Sequence, residues 1–425
     1  MSDPTRIFAR YWIETAHPLH QAAALMAGEQ SSGTFVRVPG ETDELRERHA
    51  ARVESITPLD TAPAPSLPGA GIPRGIAGPP VYQRAEVLLS WPLSNLGPSL
   101  PNLMATVAGN LFELRPFSGL KLLDLRLPPA FLDAYPGPQF GVEGTRRLSS
   151  VPRLPLVGTI VKPSVGLSPP ATAGLVRALA GAGIDFIKDD ELQADGPPCP
   201  FAQRVDAVMR VLNDNAAATG KKVMFAFNVT GEIDEMKRRH DLVVERGGTC
   251  VMVSLNAVGL AGVSALRRHS QLPIHGHRNG FGMLDRSPAL GIGFLAWQKF
   301  WRLAGIDHVH VNGLRNKFCE SDASVIASAR ECLTPMFDVP GRGCQIMPVF
   351  SSGQSAGRAF DTWRVLGSTD LIFACGGGIV AHPSGAAAGV LSVRQAWQSA
   401  LEGLTCDEAC ARFPELQQAV EKFGQ

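Results

Sequence analysis

The sequence has almost no excess charge of either sign. Lys+Arg number 40 and Asp+Glu 39 in 425 residues, a net charge of +1. That balance argues against a protein that holds nucleic acid on a broad basic surface. Charge of any kind is scarce, at 19% of residues against the ~25% usual in soluble domains. No apolar run reaches the ~18 residues of a membrane span. The opening residues show no basic start followed by an apolar stretch, so no secretory leader is expected and a cytoplasmic location follows. Eight Cys are scattered without a CxxC pair, which reads as reduced thiols rather than a disulfide framework. Cys406 and Cys410, four apart on an expected helix, read as surface residues. What is plentiful is glycine (44), proline (33) and apolar residues (45%). Such a chain can bury a large core and turn tightly between elements, which fits a compact enzyme.

Hydrophobic periodicity divides the chain near residue 136. Residues 1–136 read as an α+β domain, with strands over 6–15, 51–59, 84–91 and 120–127 and helices over 18–28 and 100–109. Residues 61–80, rich in Pro and Gly, read as a loop, and 136–155 as the junction. Residues 137–425 change texture. Short apolar runs over 156–161, 184–188, 223–228, 250–255, 272–277, 308–311, 345–350 and 370–374 alternate with helical stretches such as 172–182, 201–217, 232–246 and 289–304. Eight strand–helix units predict a (β/α)8 TIM barrel rather than an open doubly wound sheet.

Catalytic groups of such barrels stand at the C-terminal ends of the strands. Those ends carry Lys162, then Lys188-Asp189-Asp190-Glu191, Asn228, His275 with His277 and Arg278, His308 with His310, Ser351-Ser352-Gly353, and Gly376-Gly377-Gly378. Asp190 and Glu191 are hard oxygen donors of the kind Mg2+ takes. Lys188 beside them equally suits a buried ion pair. The histidines lie two apart on each strand and so share a face; they read either as core residues or as site residues. The glycine triplet reads as a tight turn or as a phosphate-binding loop after the last strand.

Together these residues resemble the large subunit of ribulose-bisphosphate carboxylase (RuBisCO). The resemblance runs in order through Glu29-Gln-Ser-Ser-Gly-Thr34-Phe35, Ala108-Gly-Asn110, Gly158-Thr-Ile-Val-Lys162-Pro163, Asp185-Phe-Ile-Lys188-Asp-Asp190-Glu191, His277-Arg278, Asp307-His-Val-His310, Met347-Pro-Val-Phe-Ser351 and Gly376-Gly-Gly378. It implies a ferredoxin-like N-terminal domain before the barrel and a homodimer with shared active sites, with no membrane or nucleic-acid partner. It implies that Lys188 reacts with CO2 to form a carbamate, which with Asp190 and Glu191 would hold Mg2+. The carbamate would act as base and the metal would stabilise an enediolate. Lys162 would be the partner acid/base, His277 would face substrate hydroxyls, and Lys317 would sit on a mobile loop. Arg278, His310 and Ser351 would clamp one end of the substrate. Thr34, Gly353, Gly377 and Gly378 would hold phosphate at the other. Glu29 and Asn110 would come from the second subunit.

The sequence also departs from the carboxylases. Ser164 stands where they have a second lysine, Phe35 where they have Trp, Phe281 where they have His, and Ser352 where they have Gly. The loop Asn312-Gly-Leu-Arg-Asn-Lys317-Phe-Cys319 is not theirs. Phe281 is expected to reshape the pocket. These changes look like a RuBisCO-like protein of the form IV group, with enolisation kept and CO2 addition disfavoured. The favoured reaction is decarboxylation or transcarboxylation/hydrolysis of a phosphorylated keto-sugar acid such as 3-oxo-isoapionate phosphate. The alternatives are the 2,3-diketo-5-methylthiopentyl-1-phosphate enolase of methionine salvage, true carboxylation of ribulose bisphosphate, and a non-catalytic regulatory protein.

Overall fold

A computed structural model describes residues 3–33, 38–74 and 78–424. It separates into two compact units. One comprises Met1–Pro136 with Gly280–Leu303, the other Gly137–Asn279 with Ala304–Gln425.

The first unit is built on β1 (Arg6–Thr15), β2 (Arg52–Ala62), β3 (Tyr82–Pro92) and β4 (Phe117–Arg126). Helix Leu19–Glu29 joins β1 to β2, and helix Leu100–Ala108 joins β3 to β4. The antiparallel order β4-β1-β3-β2 with this connectivity is the ferredoxin-like arrangement. Alternation explains β1: Ile7, Ala9, Tyr11 and Ile13 are buried, with less buried residues between them. Ser99 caps the second helix by accepting from the Asn102 N–H at 3.4 Å, and Pro101 occupies its first turn. Part of the stretch expected to be one helix over 289–304 is instead a strand. Residues Leu290–Ile292 pair in parallel with β4, and the helix starts at Phe294. Gly291, at φ +108 with Leu284 O where a Cβ would stand, lets the chain make that turn.

The second unit is a closed barrel. Its strands follow one another as Leu156–Ile160 (β5), Phe186–Lys188 (β6), Met224–Asn228 (β7), Cys250–Ser254 (β8), Ile274–His277 (β9), His308–His310 (β11), Met347–Phe350 (β12) and Ile372–Ala374 (β13), with Leu290–Ile292 (β10) belonging to the first unit. Inward side chains fill the interior: Leu156, Phe186, Met224, Ala226, Cys250, Met252, Met347, Val349, Ile372 and Ala374 form one cluster. Val151 completes that cluster and Val142 packs against it. Residues 136–155, expected to be a plain junction, include the helix Gly141–Ser149. Its apolar residues are too few for a strong pattern, but Asp307 holds it at the start of β11 by accepting from the Phe140 and Gly141 N–H groups at 2.6 and 2.9 Å.

Among the described residues no helix is long and apolar enough to cross a membrane. All eight Cys are free thiols; Cys406 and Cys410 are half-buried.

Candidate active site

The run Lys188–Glu191 leaves β6 with its side chains in two directions. Asp189 turns away from the mouth. Its Oδ2 pairs with Arg204 at 3.1 Å and accepts from the Asn228 N–H at 2.9 Å. Both charges are fully buried, so this is a structural pair. Asp190 and Glu191 stay at the strand end. The Asn228 amide donates to the Glu191 carbonyl at 3.1 Å and the Asp190 carbonyl at 3.4 Å, fixing the backbone that carries both carboxylates.

Two lysines meet these carboxylates. Lys162, at the end of β5, places Nζ 2.6 Å from Asp190 Oδ2 and donates to Ser164 Oγ at 2.9 Å. Its side chain is 41% exposed, so the ammonium stands at the open mouth. Lys188 is fully buried; Nζ lies 2.8 Å from the Asp189 carbonyl and 3.3 Å from Glu191 Oε2. Burial lowers its pKa from the usual lysine value, against the pull of Glu191 and Asp190. His277 Nε2 lies 3.3 Å from the same Glu191 oxygen. Its Nδ1 accepts from the Asn279 N–H at 3.2 Å, so the proton of the neutral ring sits on Nε2 and points at Glu191. Burial and the nearby Lys188 ammonium push the His277 pKa down to about 4. Burial would raise the Glu191 carboxyl, but His277 and Lys188 hold it at about 2. At neutral pH His277 is uncharged, so Lys188 is the cation that keeps Glu191 ionised.

Across the mouth, β9, β11 and β12 supply a second group. The His310 Nδ1 is 2.8 Å from Ser351 Oγ, and its Nε2 is 2.8 Å from His275 Nε2. The His277 and His310 rings are 4.5 Å apart. Burial drives His275 and His310 well below the usual histidine pKa, and His308 down to about 3. The period-two histidines are thus a column of neutral imidazoles. His277 and His310 reach the mouth, and His308 packs deeper, its Nε2–H donating to Thr145 Oγ1 at 2.7 Å. Arg278 pairs with Glu320 at 2.5 Å. Lys317 lies on the loop after β11. Its backbone N–H reaches Ser352 O at 3.4 Å, and its ammonium is 5.3 Å from the Phe318 ring. Gly353 has φ +85 and faces Lys317. Gly376 faces Lys162, while a Cβ on Gly378 would lie 2.5 Å from Gln354 O. Close backbone packing therefore requires glycine at 378 whatever binds there.

Phe281 is buried against Phe294 and Trp297, with ring centroids 5.6 and 4.8 Å away, in an aromatic cluster of the first unit. Thr34 and Phe35 lie outside the described residues. Glu29 ends helix Leu19–Glu29 and Asn110 opens the turn Asn110–Glu113, so both belong to the first unit. The Gln30 amide packs at Gly109, which brings these two ends together. Sequence reasoning missed Glu320, whose partner is 42 residues away; it placed Asn228 at a strand end, but the role of that amide has no local signal.

His240, Asp241 and His269 form another group with metal-type atoms within 4.8 Å of one another, on outer helices. The Gln271 N–H donates to His240 Nε2 at 3.2 Å, leaving the ring proton on Nδ1, which bonds Asp241 at 2.9 Å. The ring nitrogens of His240 are both engaged, and the group reads as a hydrogen-bonded cluster running from buried His240 to exposed Asp241.

Comparison with known proteins agrees with this arrangement. Residues 2–131 match the ribulose bisphosphate carboxylase large chain N-terminal domain, and residues 141–423 its catalytic domain. The chain is 56% identical to the 3-oxo-isoapionate-4-phosphate transcarboxylase/hydrolase of Xanthobacter autotrophicus, covering 98% of both chains. It is 44% identical to the 3-oxo-isoapionate-4-phosphate decarboxylase of Rhizobium etli, over 97% of this chain and 98% of that one. The crystal structure of a rubisco-like protein from Burkholderia fungorum superposes with a TM-score of 0.91 at 46% identity, covering 98% of this chain and 99% of that one. The chain belongs to the ribulose bisphosphate carboxylase large-chain superfamily, as a RuBisCO-like member.

Proposed function

We propose that this chain cleaves a carbon–carbon bond in a phosphorylated 3-oxo sugar acid, as a 3-oxo-isoapionate-4-phosphate transcarboxylase/hydrolase or decarboxylase. The observation that carries this reading is the mouth of the barrel, where Lys162, Asp190, Glu191 and neutral His277 stand together opposite Arg278. The 56% identity over 98% of both chains supports the substrate.

The residues fit a Mg2+ ion. Asp190 and Glu191 are two hard donors on one fixed strand end, and both now rest against ammonium groups that occupy the place of a cation. Burial lowers the Lys188 pKa and so raises the share of neutral amine, the form that adds to CO2, and the carbamate so formed would be a third anionic ligand. When bound by Lys188, Asp190 and Glu191, Mg2+ would supply Lewis-acid stabilisation of developing negative charge. The chain's own groups do the rest. Arg278, with His310 and Ser351, orients the acid end of the substrate. Gly353, Gly377 and Gly378 offer backbone to the phosphate. His277 Nε2–H donates to a substrate oxygen without adding charge. In decarboxylation the carboxylate carbon leaves as CO2, the bonding pair passes into the neighbouring ketone, and the Lys162 ammonium returns a proton to the carbon left behind. In the transcarboxylase/hydrolase form the carboxyl carbon stays in an organic product and water is consumed. Glu29 and Asn110 would reach a partner's mouth in a homodimer, in the cytoplasm.

The test is 13C NMR of purified protein with Mg2+, bicarbonate and 3-oxo-isoapionate 4-phosphate labelled in its carboxyl group. Label retained in a non-volatile product identifies the transcarboxylase/hydrolase, and label released as CO2 identifies the decarboxylase. Solvent deuterium entering intact substrate, with neither outcome, would leave only an enolase.

A further inference from the structure

The Arg278 end of the site contains an acid that sequence reasoning did not use. Glu320 lies on the loop after β11, three residues beyond Lys317. Its Oε2 takes the Arg278 guanidinium at 2.5 Å and the Asn312 amide at 2.7 Å, while Oε1 accepts from Ser324 Oγ at 2.9 Å. Both side chains of the pair are shielded, 13% exposed for Arg278 and 10% for Glu320. The carboxylate is thus built in, with bonds to both oxygens.

What holds it is a departure from the carboxylase pattern. Ser352, at φ +68, donates its hydroxyl to Asn312 Oδ1 at 2.9 Å, which aims the Asn312 amide at Glu320. A glycine there would accept the backbone angle more easily but could not orient Asn312. The chain of contacts runs Ser352–Asn312–Glu320–Arg278. The charges then sum simply. Arg278 contributes +1 and Glu320 −1, while His310 and Ser351 beside them are uncharged. Of the loop's other cations, Arg315 pairs with Asp361 and Lys317 has its ammonium beside Phe318. A phosphate dianion needs a net positive cradle, whereas a carboxylate or a hydroxyl pair is served by the donor geometry of one guanidinium whose charge is partly spent.

We propose that Glu320 is a specificity-determining residue that fits this end of the site to a carboxylate or hydroxyls and rejects a second phosphate. The inference deepens the reading of a phosphorylated acid as substrate and rests on it for the orientation of the ligand. It assigns to Glu320, positioned by Asn312 and Ser352, the choice between a monophosphorylated acid and a bisphosphate.

The experiment compares two stable ligands of one carbon frame, 5-phospho-D-arabinonate and D-arabinitol 1,5-bisphosphate, by isothermal titration calorimetry with Mg2+ and bicarbonate present. The wild type is expected to bind the phosphoarabinonate more tightly. Glu320→Gln keeps the shape and removes the charge, and should move the affinity ratio toward the bisphosphate by about tenfold or more. Glu320→Asp should keep the wild-type preference. A wild type that prefers the bisphosphate overturns the proposal without any variant. So does a Glu320→Gln protein that gains equally for both ligands, which would make Glu320 a mere plug. Neither ligand is turned over, so failure of the proposed reaction would appear in the NMR experiment and not here.

Discussion

Buried carboxylates stand at both ends of the barrel strands, and they are held differently. At the N-terminal end, Asp307 accepts from the Phe140, Gly141 and Ile274 N–H groups and pairs with Arg267 at 3.1 Å. Asp185, just before β6, accepts from the Val157 N–H at 2.9 Å and pairs with Lys221 at 2.5 Å and Arg394 at 2.9 Å. Every oxygen there is used, each by a group that ties two segments together. At the C-terminal end, Glu191 meets Lys188 and His277 only at 3.3 Å, through one oxygen. The saturated acids join strands to helices. Asp190 uses both oxygens, on the Lys162 ammonium at 2.6 Å and the Leu192 N–H at 3.1 Å, so the acid with spare capacity is Glu191. Asp189 sits among these acids but is tied down differently, its Oδ2 shared by Arg204 and the Asn228 N–H while its Oδ1 has no hydrogen-bond partner.

The contrast breaks most visibly at Lys188. Lys188→Met should lower Mg2+-dependent turnover by about a thousandfold or more, while thermal unfolding stays level or rises, since an apolar side chain of similar shape relieves a buried amine. Steady-state kinetics beside calorimetry read both halves. Asp307→Ala should do the reverse. It strands the Arg267 guanidinium and three N–H groups, and should cost about 3–5 kcal/mol in urea denaturation with turnover per folded molecule kept. A mouth variant that melts, or an Asp307 variant that stays stable, would dissolve the distinction.

His277 sharpens it through pH. Its pKa is about 4 in the fold against ~6.5 unfolded. Between those values the unfolded chain holds a proton that the folded one refuses. Stability is therefore full above pH 6.5 and falls as the pH drops toward 4, by up to about 3 kcal/mol. Glu191, held at about 2, adds its own loss only below pH 4.5. His277→Asn should flatten the upper part of this slope in denaturation curves taken at successive pH values. The smallest effect is expected at Ser164. Ser164→Ala removes one acceptor from Lys162 but leaves Asp190 at 2.6 Å, so turnover should fall by less than about tenfold.

Much of this was legible in the residues. The barrel strands read as short apolar runs because parallel strands are covered on both faces, and the motif residues fell at their ends. The reading failed where partners are remote or patterns are short. Nothing near Asp189 and Asp190 says which one meets Arg204 and which meets Lys162, since the answer depends on which way successive side chains leave the strand. The strand Leu290–Ile292 has three residues and runs straight into an apolar helix, so periodicity merged the two. At Phe281 a departure from a motif shows what is missing, while the aromatic neighbours that receive the ring come from another stretch of chain. Glu320 required Arg278 to be seen beside it.

The helix Gly141–Ser149 carries a kinetic consequence. With Asp307 fastening its first residues and Val142 and Val151 packed on the interior cluster, one end of the barrel is stoppered. Side chains already fill the barrel interior, so nothing passes through it and the site opens only at the mouth. Whatever enters past Lys162 and Arg278 must leave the same way, so product and incoming substrate cannot pass one another. Each turnover then includes an emptying step, and accumulating product should act as a competitor for the free site.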